Sequence, residues 1–190
     1  MRMVVRLPLL MAAALLLGGC GGKGNEAPAS STGTDASAIP LEGASTASVV
    51  VPATITDTAL LTDVRSARQQ GYDRVVFQFA NGVSGYKVGY VERPVVADGS
   101  GDEVAVGGGA VLHVRMEPAL DADLTQESAP PTYTGPNRFS PETTAVVELV
   151  SVGGFEAVLT WAIGIDRERP FRVTTLADPP RIVIDVDSSS

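Results

Sequence analysis

Hydrophobic positions in this chain follow two different patterns. Near the N-terminus they are continuous: residues 7–17 form an uncharged apolar run behind Arg2 and Arg6. That run is about half of the roughly 20 apolar residues needed to cross a bilayer, so it reads as the h-region of an export signal. From Leu60 onward the pattern is period two with turn residues between the runs, which predicts strands. Residues 61–68 form the first, closed by Gln70-Gly71-Tyr72-Asp73, and residues 74–79 form the second. Asn81-Gly82 is a tight-turn dipeptide. Beyond it Tyr86, Val88 and Tyr90 alternate with Lys87, Gly89 and Val91. After a Gly/Asp-rich loop at 98–102, residues 111–116 alternate again, with Leu112, Val114 and Met116 on one face.

Residues 117–143 interrupt this rhythm. Pro118, Pro130, Pro131, Pro136 and Pro141 predict an irregular segment. Alternation then returns over 145–152, with Gly153-Gly154 as the expected turn into a long strand at 155–165. On that strand Phe155, Ala157, Leu159, Trp161 and Ile163 would share a face. Residues 171–176, a turn at Asp178-Pro179-Pro180 and residues 181–186 complete the chain. No convincing amphipathic helix interrupts these strands. The pattern predicts an all-β, mostly antiparallel fold, a β-sandwich or open barrel.

Between the apolar run and the strands, residues 21–56 are rich in Gly, Ser, Thr, Ala and Pro. Such a segment buries too little apolar surface to offset chain entropy, so it is expected to be a disordered linker. Val49-Val50-Val51 is its one apolar patch, a candidate short edge strand. The folded domain is expected to begin near Asp57 or Leu60, giving a β domain over 57–188.

The junction at residue 20 carries specific chemistry. Leu17-Gly18-Gly19-Cys20 resembles the bacterial lipobox, in which small side chains precede an obligatory cysteine. Cys20 is the only cysteine, so no intramolecular disulfide competes for its thiol. The expectation is a signal peptide over 1–19, cleavage between Gly19 and Cys20, and a diacylglyceryl anchor on Cys20. Two acyl chains hold a protein to a membrane where one does so only marginally.

Charge narrows the partners. The chain has 14 basic and 22 acidic residues, net −8, and removing Arg2 and Arg6 leaves 12 against 22, near −10. Without a basic run or aromatic-basic interleaving, nucleic acid is not an expected ligand. An acidic body also gains nothing from anionic headgroups, so membrane contact is expected to rest on the anchor.

Several segments resemble the AMIN-like domain of actinobacterial lipoproteins. They are residues 71–77 (Gly-Tyr-Asp-Arg-Val-Val-Phe), 85–91 (Gly-Tyr-Lys-Val-Gly-Tyr-Val) and Tyr133-Thr134-Gly135-Pro136. Gly153-Gly154-Phe155-Glu156 and the stretch 172–186, with Asp178-Pro179-Pro180-Arg181, add to them. The resemblance covers about 57–188. It implies a β-rich module related to domains that target envelope machinery to the cell wall.

Candidate chemistry is sparse. His113, the only histidine, shares a strand face with Val111 and Arg115, and no orienting acid or ligand set accompanies it in sequence. It is expected to be a half-exposed strand residue. Asp121, Asp123 and Glu127, and the acidic turn at Asp98, Asp102 and Glu103, lack EF-hand spacing and read as solvated loops. Gly107-Gly108-Gly109 has no Gly-Lys-Ser/Thr sequel and no phosphate-loop context. No metal, cofactor or catalytic residue is expected. Aromatic rings that stack on sugars are the remaining lead: Tyr86 and Tyr90, about 13 Å apart along a strand, and Tyr133 with Arg138 beside it in the Pro-rich segment. Tyr86 and Tyr90 suit either a chain-like ligand or the core, while Trp161 is expected inside. The expected function is non-catalytic: a lipid-anchored extracytoplasmic protein whose β domain binds peptidoglycan or attached polysaccharide. The alternative is an envelope adaptor that presents a sheet edge or the Pro-rich loop to a protein partner.

Overall fold

The computed structural model describes residues 41–189. The expected signal peptide, the Gly19/Cys20 cleavage and lipidation site, and the linker as far as residue 40 lie outside the described residues. The strands run in chain order as β1 (Val49–Val51), β2 (Ala59–Arg68), β3 (Tyr72–Ala80), β4 (Gly85–Val91), β5 (Val95–Val96) and β6 (Glu103–Val104). Then come β7 (Ala110–Glu117), β8 (Ala119–Leu120), β9 (Arg138–Phe139) and β10 (Val146–Phe155). The last three are β11 (Val158–Ile165), β12 (Phe171–Ala177) and β13 (Pro180–Asp187).

The fold is all-β, as the alternation predicts. One sheet has the order β1-β4-β7-β11-β10-β9, the other β12-β13-β3-β2-β8, and β5-β6 is a separate ribbon. Every pairing is antiparallel except β2 with β8. The two large sheets share one core, a sandwich in which Leu61, Val75, Phe77, Ile182 and Ile184 face Leu112, Val114, Met116, Leu159, Trp161 and Ile163. Phe77 meets Trp161 edge to face across the sheets at 6.0 Å, and Tyr90 meets Phe171 at 5.8 Å. Burying these side chains at about 1.5–3 kcal/mol each drives the two faces together.

The six-stranded sheet is covered on its second face as well. Val111, Val150, Val152 and Ala162 point outward and pack under Val95 and Val106 of the ribbon segment. Glycines make this close approach possible. A Cβ on Gly164 would collide with the backbone carbonyl of Gly107, and one on Gly108 with that of Ile165. The Gly107-Gly108-Gly109 run is therefore a seat for the ribbon. Arg93 secures it through the carbonyls of Val106 (2.6 Å) and Gly108 (2.9 Å).

Two local expectations are corrected. Asn81 and Gly82 take positive φ (63° and 97°), as a tight turn there requires, and join the two sheets. Strand β3 already has β2 and β13 on its two edges, which leaves β4 no partner there. The turn after β10 lies at Glu156-Ala157 (φ 51° and 59°), not at Gly153-Gly154. Gly153, at φ 130°, sits where the register shifts in a β-bulge, so β10 continues to Phe155 and leaves that ring 54% exposed. Finally, residues 41–56 lie on the domain. Val49–Val51 pairs with β4 as the expected edge strand, Ser45 bridges to Phe171, and the Leu41 amide reaches Asp187.

Candidate binding groove

The outer surface of β1, β4 and β7 is laid out by register. Val50, Lys87 and Arg115 form one row across the three strands, and Arg115 is followed by Thr160 of β11. In the next row Ser48, just ahead of β1, overhangs Gly89, which pairs with His113. Lys87 directly opposes Arg115, a like-charge cross-strand pair that is unfavourable unless solvent or a ligand lies between. Arg115 gains some compensation from Glu117 at 3.0 Å.

Two clefts flank this pair. One, of about 400 Å³, is lined by Val50, Val51, Pro52 and Ala53 on its apolar lip and by Lys87, Arg115 and Glu117 on its polar side. The other, of about 260 Å³, lies over Gly89 between Ser48, Val91 and His113. Both include Lys87 and Arg115, so this pair borders both halves of the grooved surface beside β1. Gly89 keeps the second part open, since a side chain there would run into Ser48. Burial lowers the His113 imidazole below its ordinary value, with Arg115 and Lys87 adding to the effect and Asp98 opposing it. At neutral pH it is therefore a neutral donor-acceptor on the groove wall. Asp98 is itself tied to the buried Thr160 hydroxyl.

The aromatic residues singled out in the sequence occupy different places. Tyr86 and Tyr90 contribute to the groove's base, but their rings project into the core. Tyr86 is 7% exposed, and its hydroxyl is pushed up by burial. The Tyr90 hydroxyl donates to the Arg169 carbonyl (2.7 Å) and accepts from the Arg169 amide (2.9 Å), a structural clamp between the sheets. Tyr133, expected on the surface, is buried. Its ring packs edge-on against Trp161 at 5.7 Å, and its hydroxyl donates to the Pro136 carbonyl at 2.8 Å. The Pro-rich segment is tied to β2, where the Thr132 hydroxyl donates to the Leu61 carbonyl at 2.8 Å, and the ring of the next residue joins the core. Arg138 is exposed but does not meet Tyr133; it pairs with Glu148 (2.8 Å) and donates to the Ala105 carbonyl (2.8 Å). Burial raises Glu148, but the Gly107 amide and Arg138 outweigh it and hold the carboxylate ionised below its usual range.

Lys87, Arg115, Ser48 and the Val50–Ala53 lip were not legible as a site. Lys87 and Arg115 lie 28 positions apart and meet only through register, while Ser48 falls in a segment whose composition reads as linker. Among the described residues no three His, Cys, Asp or Glu side chains converge on a possible metal position.

Fold and site define an all-β sandwich that carries a surface groove along one sheet edge. The chain belongs to the AMIN-like domain family, which matches residues 59–188. The family is one of cell-wall-associated β domains, and it sets this domain in the cell envelope. Searches among curated proteins and solved structures gave no match.

Proposed function

We propose that this domain binds a cell-wall polymer, peptidoglycan or an attached polysaccharide, in the groove beside β1, without catalysis. The observation that carries the reading is the pairing of an apolar lip with a charged side about the Lys87–Arg115 pair. Glycans present just such alternating surfaces, apolar C–H faces edged by hydroxyl groups. Membership in a cell-wall-associated family supports the same reading. In this proposal Cys20 carries a diacylglyceryl anchor and the linker gives the domain its reach; Cys20→Ala would then leave unprocessed precursor.

The test is co-sedimentation of the full chain, in detergent, with purified peptidoglycan, with and without its attached polysaccharides. Saturable retention that survives moderate salt is expected. The Lys87→Gln/Arg115→Gln double variant should weaken it at least about tenfold, since hydrogen bonds from charged donors contribute about 1.5–3 kcal/mol each. Equal retention of wild type and variant would remove the groove from the reading. No retention of a folded chain would shift it to the adaptor role, with a protein partner in place of the polymer.

A further inference from the structure

The opposite face of the sandwich carries a second, unrelated concentration of charge. On the outer side of β12-β13-β3-β2, register places Arg65, Val76, Val183 and Thr174 in one row. The row on one side holds Ala67, Arg74, Asp185 and Arg172; the row on the other holds Gln78, Arg181 and Leu176. Val76 and Val183 are 7% and 3% exposed although they face outward, and Arg65, Arg74 and Arg181 line the same hollow around them. The result is a trough of about 260 Å³ with an apolar floor of Val76, Val183, Ala67 and Leu176, edged by the guanidinium groups of Arg65, Arg74 and Arg181.

Two carboxylates face four arginines here: Asp185 serves Arg74 and Arg172, and Asp63 serves Arg65. Four positive charges less two negative leaves a surplus of two, on a chain whose net charge is −8. Each guanidinium is also fixed in advance. Arg74 is forked on Asp185 at 2.7 and 2.9 Å, with the Tyr72 ring 5.3 Å beneath it. Arg65 holds Asp63 and Gln78, and Arg181 holds the turn carbonyls of Pro179 and Asp178 at 3.1 and 3.2 Å. Donors ordered before binding lose little entropy when a ligand arrives.

We infer that this trough is a second binding site, for a free carboxylate carried on a small aliphatic group, such as the C-terminus of an alanyl peptide. A guanidinium edge such as Nε–Nη2 of Arg65, whose contacts to Asp63 and Gln78 run through Nη1, matches a carboxylate, and the Val/Leu/Ala floor matches a methyl-bearing body. A bare oxyanion would use the charges and waste the floor. With the groove on the other sheet, the domain then has two separate recognition faces.

Isothermal titration of the full chain in detergent tests this with three probes: N-acetyl-alanyl-alanine, its C-terminal amide and inorganic phosphate. The carboxylate peptide should bind saturably, and the amide and phosphate at least tenfold more weakly. Arg65→Gln/Arg181→Gln should weaken the peptide at least tenfold, and the Lys87→Gln/Arg115→Gln groove variant should bind it normally. Should the double variant unfold, Arg65→Gln alone serves, because Arg65 is exposed and its bonds to described residues go to Asp63 and Gln78. No binding, equal binding of peptide and amide, tighter binding of phosphate, or unchanged binding in a folded Arg65 variant would each overturn the site.

Discussion

Asp73 is the residue whose replacement should most damage this fold. It sits at the start of β3 on the core side and is fully buried. Its Oδ2 accepts the backbone amides of Thr144 (2.8 Å), Ala145 (2.5 Å) and Val146 (3.1 Å), which pins the end of the Pro-rich segment to the entry of β10. Asp73→Ala orphans all three donors in a site closed to water. Amide bonds to a charged acceptor contribute about 1.5–3 kcal/mol each, but three that share one oxygen are not additive, and loss of a buried charge is partly favourable. The net expectation is destabilisation by about 3–5 kcal/mol. A domain of this size shifts by about 2–4 °C per kcal/mol, so the melting temperature should fall by roughly 6–20 °C. Asp73→Asn keeps one neutral acceptor and should lose about 2 kcal/mol. Urea denaturation followed by circular dichroism measures both, with a lowered midpoint at constant slope as the expected signature. An alanine variant within about 1 kcal/mol of wild type would refute the claim that this carboxylate organises the chain at 144–146.

Tyr90→Phe removes both hydrogen bonds that clamp residue 169 and should destabilise by about 1–3 kcal/mol in the same assay, with wall-polymer retention unchanged. Gly164→Ala drives a methyl group into the Gly107 carbonyl and should lose about 2–3 kcal/mol; limited proteolysis should then cut the 93–109 segment faster. His113 gives a pH dependence with a definite sign. Its folded value lies below the ordinary 6.5, so as pH falls below 6.5 the unfolded chain takes up the proton first and stability drops until the folded imidazole titrates as well. Comparison of His113→Asn with wild type over that window should show this slope removed; parallel slopes would contradict it.

Much of the fold was legible because strand formation leaves a local mark. Alternation located β2, β4, β7, β12 and β13 to within a few residues. Where it failed, a side chain had a distant partner. Alternation also located β3, but not the role of its inward Asp73, which binds three amides more than 70 residues away. Tyr133 looked solvent-facing in a proline-rich stretch, and only the Trp161 ring that receives it reveals a core residue. The turn after β10 was misplaced because glycine marks bulges as readily as turns, and only the Phe155–Val158 pairing says which.

The sequence alone determined what depends on neighbours in the chain: strand class, side-chain alternation and family membership. Tertiary structure decided what depends on register between strands far apart in sequence. It set Lys87 against Arg115, raised Ser48 over Gly89, and ringed Val76 and Val183 with Arg65, Arg74 and Arg181. A shift of one residue in any of these strands would turn that strand's side chains to the other face. That register is held by the buried core the two sheets share.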